Sequence, residues 1–288
     1  MKQIKFNRAF SLIELSIVIL IIGILVSAVI KGRDLYANIK LVSAKNITNN
    51  SIVSSTKDLV AWYEASSGSS FLEDETQNGS ILSSWRDINP QSTSKKHTIS
   101  ATGTPQYVID ENLGLPVVDF NGSSYFTLPN GTVPSGNASY SIFIVAKVNN
   151  PCVCVVLASG LSANSQNTFR FSTSGDDDSF YNYGHNASEP WISIKRVNFD
   201  NEDSYNIITH IYNGSQVSAY VNSNLIAGPL SISRNSEQSP NYIGRKGDNL
   251  NENMNGQIAE IIIFDRALKD NERQSIDEYL SQKFSIRL

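Results

Sequence analysis

Hydrophobic positions change their spacing twice along the chain. From Phe10 to Ile30 nearly every side chain is apolar, interrupted only by Ser11, Glu14, Ser16, Gly23 and Ser27. A bilayer core takes roughly 20 apolar residues in a helix, so this run is long enough to span one. Beyond Ile30 the pattern becomes amphipathic. Leu35, Ile39 and Val42 recur at helical spacing, followed by Ile47 and Val53, with Lys31, Arg33, Asp34, Lys40 and Lys45 between them. Proline is absent before Pro90. The spacing therefore predicts one helix from Phe10 to about Lys57, roughly 70 Å long at about 1.5 Å per residue. Gly23 and Gly32 are its soft points, and the Asn/Ser/Thr-rich stretch from Asn46 to Thr56 weakens its end.

From Asp58 the pattern changes again, to short β-rich runs between turn signals. Predicted strands are Leu59–Glu64, Pro116–Asn121, Tyr125–Leu128, Tyr140–Lys147, Val153–Ala158, Thr168–Ser172, Tyr205–Tyr212, Gln216–Val221, Asn241–Gly244 and Gln257–Phe264. Several alternate apolar and polar residues, as half-buried strands do. Turns are supplied by Asn121-Gly122, Asn149-Asn150-Pro151, Asn213-Gly214 and Asn222-Ser223. In the last segment, Lys269 to Phe284, Ile276, Tyr279, Leu280 and Phe284 lie at helical spacing. Asp270 and Glu272 stand near its positive end. The expected architecture is a long N-terminal helix, an all-β sandwich over 58–288 and a C-terminal helix, an α+β chain overall.

Charge narrows the function. The 288 residues carry a formal net charge of −4, and −7 once Lys2, Lys5 and Arg8 are set aside. An acidic domain is a poor partner for nucleic acid, whose affinity rests on Lys and Arg neutralising phosphates. Those three cations stand just before the apolar run, and the positive-inside rule puts that end in the cytoplasm and exports the rest. A secretory signal peptide would have a shorter apolar core and a small-residue cleavage site, for which Ser27 and Ala28 are poor candidates. A plain signal anchor accounts for length and flanking charge but not for Glu14, because a carboxylate in a span is costly.

Ala9-Phe10-Ser11-Leu12-Ile13-Glu14-Leu15 resembles the class III signal of type IV prepilins and pseudopilins. In that family a basic leader ends in a small residue and is followed by Phe, a short run ending in Glu, and an apolar helix. The usual leader-terminal Gly is replaced here by Ala9. The resemblance implies a leader over 1–9, cut by a prepilin peptidase between Ala9 and Phe10, and methylation of the new Phe10 amine. It also implies a role for Glu14 in assembly, paired with that amine on a neighbouring subunit, and a pilin-type helix over 10–57. A buried acid is tolerable beside an opposite charge. The precursor would be a single-pass protein of the bacterial inner membrane with its head in the periplasm, later part of a pilus or pseudopilus.

A second set of segments resembles concanavalin A-like (laminin G-like) jelly-roll domains. It comprises Leu59-Val60-Ala61-Trp62-Tyr63-Glu64-Ala65, Trp85-Arg86-Asp87, Leu115 to Gly122, Tyr242-Ile243-Gly244-Arg245, Asn255 to Ile261, and Asp265-Arg266-Ala267-Leu268 before an acidic helix. Trp62, Tyr63 and Phe120 are expected in the core, with Gly122 and Gly256 at turns or close backbone approaches.

Some relatives of that fold are glycoside hydrolases, whose carboxylates alternate on one strand at the separation a retaining mechanism needs. Glu73-Asp74-Glu75 and Asp176-Asp177-Asp178 are runs in turns, and Glu260 and Asp265 do not alternate closely, so no catalytic residue is assigned. His97, His185 and His210 form no recognisable catalytic or zinc spacing, and His210 reads as a structural residue of a strand. Cys152 and Cys154 read as small residues of a Val-rich strand, with a strained local disulfide as the alternative. Calcium is a known ligand of laminin G-like domains. The oxygen-rich stretches Asp176–Asp178 and Asp248, Asn249, Asn251 and Asn253 lack its helix–loop–helix spacing and read as solvated turns, so no cofactor or metal site is assigned. Tyr181, Tyr183 and Trp191 interleave with Asn182, His185 and Asn186 in what reads as a loop. They are the candidates for a glycan or protein ligand, against a plain role in covering the sandwich edge.

The expected function is a minor pilin or pilin-like subunit displaying an adhesive or ligand-binding head, not an enzyme. The alternatives are a pseudopilin of a type II secretion system contacting cargo and, resting on fold analogy alone, a membrane-tethered carbohydrate-active enzyme.

Overall fold

The computed structural model describes residues 12–288 except 93–97, 150–152, 161–166, 173–178, 185–191, 196–203, 233, 235, 237, 239–240 and 246–252. Compactness divides the chain into two units, 1–43 and 44–288. The first is helical. Helix α1 runs from Leu12 to Asn49 without interruption, and its large apolar side chains are exposed from Leu12 (85%) through Ile30 (56%). The helix ends inside the Asn-rich stretch that weakens it, short of Lys57. A 3₁₀ turn, Ile52–Ser55, follows.

The second unit is a sandwich of antiparallel strands. Its strands are β1 (Leu59–Glu64), β2 (Ser80–Ile81), β3 (Ser84–Trp85), β4 (Ile99–Thr102), β5 (Gln106–Asp110), β6 (Leu115–Asn121), β7 (Tyr125–Leu128), β8 (Tyr140–Val148) and β9 (Val153–Ser159). They continue with β10 (Asn167–Ser172), β11 (Ser179–Gly184), β12 (Ile192–Lys195), β13 (Asn206–Tyr212), β14 (Gln216–Val221), β15 (Asn224–Ser231), β16 (Asn241–Ile243) and β17 (Asn255–Phe264). Helix α2 spans Asp270–Phe284. One sheet runs β15-β14-β13-β8-β17-β6-β5-β2, with β1 also paired to β17. The other runs β12-β11-β10-β9-β16-β7-β4-β3. The non-sequential neighbours are what a jelly roll requires.

Two apolar clusters result. Between the sheets lie Tyr63, Trp85, Phe120, Phe126, Ile144 and Ile261 with their neighbours. The alternate residues of the first sheet, among them Trp62, Phe143 and Ile262, pack beneath Ile276, Leu280 and Phe284 of α2. Trp62, Tyr63 and Phe120 are thus core, as their apolar strand positions indicate, although Trp62 serves the outer cluster. Ala44 and Val53 also belong to that outer cluster, with Ile47 packed against it, so the last turn of α1 is part of the head's own core. Burying one such aliphatic side chain stabilises by roughly 1.5–3 kcal/mol.

Gly256 must lack a side chain, because a Cβ there would lie 2.4 Å from the Lys147 carbonyl oxygen on β8. Gly122 has open space around it but sits at φ +81°, as a tight turn after β6 requires. The segment expected to be a loop around Tyr181 and Tyr183 is instead strand β11, paired with β10 and β12. Glu73–Glu75 forms a 3₁₀ turn, in which Glu75 is buried and accepts the Ser83 N–H at 2.9 Å.

Candidate functional sites

Glu14 lies in the first turn of α1 and is exposed, among exposed Leu, Ile and Val side chains. Two hydroxyls of the apolar segment are satisfied within the helix itself. Ser16 Oγ donates to the Ile13 carbonyl and Ser27 Oγ to the Gly23 carbonyl, both at 2.8 Å. Hydroxyls satisfied within their own helix suit a segment that meets lipid or other helices. By length and composition this helix can cross a membrane. Ala9 and Phe10 lie outside the described residues.

On the head, the strand positions that alternate with core residues form a second candidate. Phe126 and Ile243 are buried between the sheets, so Tyr125, Thr127 and Tyr242 project from the opposite face. Thr127 pairs with both Tyr242 and Ser100, and Tyr125 pairs with Thr102. The Tyr125 and Tyr242 rings meet edge to face at 5.5 Å. The Arg245 guanidinium stands 4.7 Å from the first ring and 5.0 Å from the second. All three side chains are half-buried, whereas Ser100, Thr102 and Thr127 are exposed. Ring faces, hydroxyls and a guanidinium on one surface can stack on a sugar and hydrogen-bond its hydroxyls.

Of the residues singled out for a ligand, Tyr181 and Tyr183 lie on β11 of this same sheet, at the positions paired with Ile194 and Ile192. Trp191 lies outside the described residues, as do His97, His185, Cys152, Asp176–Asp178, Asp248, Asn249 and Asn251. Cys154 is on β9, paired with Phe171. Asn253 is half-buried just before β17. The described residues bring no three of His, Cys, Asp and Glu together in a metal-holding group. In the sequence Tyr242 and Arg245 stand out only as part of a fold signature. An aromatic at an outward strand position was the overlooked signal.

The third group is buried. Glu64 and Glu260 face each other across the β1–β17 pair. Lys283 of α2 reaches both, with Nζ 2.8 Å from Glu64 Oε1 and 2.7 Å from Glu260 Oε2. All three side chains are at most 1% exposed. Glu260 Oε1 also accepts the Trp62 indole N–H at 2.7 Å and the Tyr279 hydroxyl at 2.8 Å. Burial pushes the Glu260 carboxyl up, Lys283 opposes that, and the charge of Glu64 adds to it. Burial and the Glu260 charge push the Tyr279 hydroxyl well up. These are the carboxylates that the strand register brings together, and both are closed to substrate. His210, 2% exposed and stacked on Tyr140 at 5.5 Å, is driven well below its ordinary pKa by burial and then by the Arg234 charge. It sits in the core, not at a surface.

A family model of the concanavalin A-like lectin/glucanases superfamily matches residues 120–272, more than half of the chain. The chain belongs to this superfamily. Its N-terminus, residues 4–30, matches the prokaryotic N-terminal methylation motif. No curated protein matches the chain. Among solved structures, this concanavalin A-like chain is similar to domain 4 of AbnA, an extracellular arabinanase of Geobacillus stearothermophilus solved with arabinotriose. The TM-score is 0.55 at 17% identity, over 77% of this chain and 98% of that one. It is similar to the binding domain of Paraclostridial Mosquitocidal Protein 1, with a TM-score of 0.54 at 15% identity, over 76% of this chain and 52% of that one. The sialidase of Trypanosoma rangeli, solved with sialic acid, gives 0.53 at 13% identity, over 79% of this chain and 33% of the sialidase. At such identities the likeness carries the fold alone.

A methylation motif leading into an apolar helix, followed by a concanavalin A-like head, fits a pilin-like subunit with a single-pass membrane anchor.

Proposed function

We propose that the chain is a minor subunit of a type IV pilus-type filament, whose head binds a glycan or a glycan-bearing protein. The observation that carries this reading is the methylation motif over residues 4–30 continuing into an exposed apolar helix. Cleavage between Ala9 and Phe10 frees the amine that is then methylated, and Glu14 pairs with the amine of a neighbouring subunit during assembly. Pairing in the assembled register offsets the cost of burying the carboxylate, and a misplaced subunit leaves it uncompensated. The head is far bulkier than the helix, which favours a low-copy or tip position over repetition along the fibre.

The head acts as a binding module and not as an enzyme in this reading. Its facing carboxylates, Glu64 and Glu260, are sealed in the core, while Tyr125, Tyr242 and Arg245 offer a ring-and-hydroxyl surface. The arabinotriose carried by the similar arabinanase domain makes an oligosaccharide the first ligand class to test.

Processing is tested by mass spectrometry of the N-terminal peptide, from cells with and without a prepilin peptidase. With the peptidase the peptide should begin at N-methylated Phe10, and without it at Met1. A chain beginning at Met1 in both would overturn the pilin reading.

A further inference from the structure

A lysine buried against two carboxylates in a water-excluded core is poised for more than an ion pair. We propose that Glu64, Glu260 and Lys283 form a self-modifying centre, in which the Lys283 amine condenses with the Glu64 carboxyl to an internal amide joining β1 to α2.

The geometry supplies each part. Lys283 Nζ is held 2.8 Å from Glu64 Oε1, which places amine and carboxyl in contact without a diffusional step. Glu64 Oε1 also accepts the backbone N–H of Ser66 at 2.7 Å and its hydroxyl. Two donors on one carboxyl oxygen polarise it and stabilise the negative charge that develops there when nitrogen attacks carbon. The other oxygen, Glu64 Oε2, is buried and has no hydrogen-bond partner among the described residues. It is the oxygen free to leave. Glu260 Oε2, 2.7 Å from Nζ, is the base that takes a proton from the ammonium and hands it to the departing Glu64 Oε2, on the residue directly opposite Glu260 in the β1–β17 register. The Trp62 indole and the Tyr279 hydroxyl fix the other oxygen of Glu260, so the relay cannot swing away.

The step balances without any co-reactant. The ammonium gives up two protons, one N–C bond forms to the Glu64 δ-carbon, one C–O bond breaks, and the departing oxygen leaves with both protons as water. Nothing is oxidised or reduced. The ammonium and one carboxylate vanish together, which removes the cost of keeping those charges out of water. Exclusion of water from the core, where Lys283 and Glu64 are at most 1% exposed, disfavours the reverse hydrolysis. The product ties the first strand of the head to its last helix, so a pull on one end cannot peel α2 from the sheet.

The test is peptide mapping of the full chain, purified from membranes, denatured and digested with trypsin. Expected is a branched product of peptides 58–86 and 274–287, one water lighter than their sum, in which Lys283 resists cleavage. Glu64→Gln should yield the same branched product by loss of ammonia, a result that an ion pair cannot give. Glu260→Ala should remove the branch while circular dichroism still reports a folded head. If wild type gives only linear peptides cut after Lys283, the proposal is overturned and the centre is an ion pair. If Glu260→Ala keeps the branch, the relay role assigned to Glu260 is overturned.

Discussion

Glu272 combines two tasks in one carboxylate. Its oxygens take the Arg266 guanidinium two-pronged, at 2.8 and 2.7 Å, and Oε2 also accepts the backbone N–H of Lys269 at 2.9 Å, closing the start of α2. The hydrogen bond from Arg266 leads the causes that bring its pKa down from 4.5 to about 2, with burial opposing and the Lys269 N–H assisting. A carboxyl whose folded pKa is depressed stabilises the fold above its unfolded pKa, and the contribution is lost as pH falls through the folded value. Stability should therefore decline between pH 4.5 and about 2. Glu272→Gln should flatten part of that decline, with the curves of wild type and variant converging near pH 2. Because the pair is partly solvated, the difference at neutral pH should be below about 1 kcal/mol. Urea melts across the range measure it, and an unchanged acid limb in the variant would refute the assignment. At this scale the sequence was informative where a residue's neighbours decide its environment. His210, amid alternating apolar residues, had to be core. Glu64 and Glu260 were less legible, because they are far apart in the chain and only the β1–β17 register makes them neighbours.

Among elements, α1 carries the clearest prediction. Its apolar side chains and internally bonded serines make insertion a property of the whole helix, to which one carboxylate in the first turn contributes little. Glu14→Ala should leave membrane insertion and leader cleavage intact while reducing recovery of the subunit in sheared filaments at least several-fold. Removing a charge from a span cannot harm insertion, since a carboxylate there costs up to about 3 kcal/mol. Equal recovery of mutant and wild type would favour a plain anchor. The helix was legible because twenty apolar residues admit few other readings. So were β1, β7 and β14, whose strands begin and end at the predicted residues. Strands β2 and β3 are two residues each and leave no period to detect. The edge strand β15, Asn224–Ser231, is largely exposed and contains Gly228 and Pro229, so it lacks the signals of a buried strand. Strand β11, with its Asn and Tyr residues, has the composition of a loop and is a strand only through its partners on both sides.

For the molecule as a whole, the ligand can be sought only on a head that is complete. The compact unit begins at Ala44, and Ala44 and Val53 fill the apolar cluster beneath α2. Thr48 adds a polar contact there, its hydroxyl lying 3.4 Å from that of Tyr279. A fragment cut at Asp58 uncovers that cluster, and the apolar surface so exposed would retain glycoconjugates and proteins unspecifically. The fragment 44–288 keeps it covered, and its retention on an oligosaccharide array, arabinan fragments included, should depend on the opposite side of the sandwich. Tyr242 is the residue that distinguishes the two surfaces. It lies on β16 in the sheet away from α2, half-buried between Tyr125 and Arg245. Tyr242→Ala removes one stacking ring and the support of the guanidinium together. It should weaken binding on the order of tenfold, about 1.4 kcal/mol, with no change in the core and hence little change in melting temperature. Undiminished binding by Tyr242→Ala would move the ligand surface elsewhere on the head. Loss of binding together with loss of cooperative melting would instead show that Tyr242 holds the sheet.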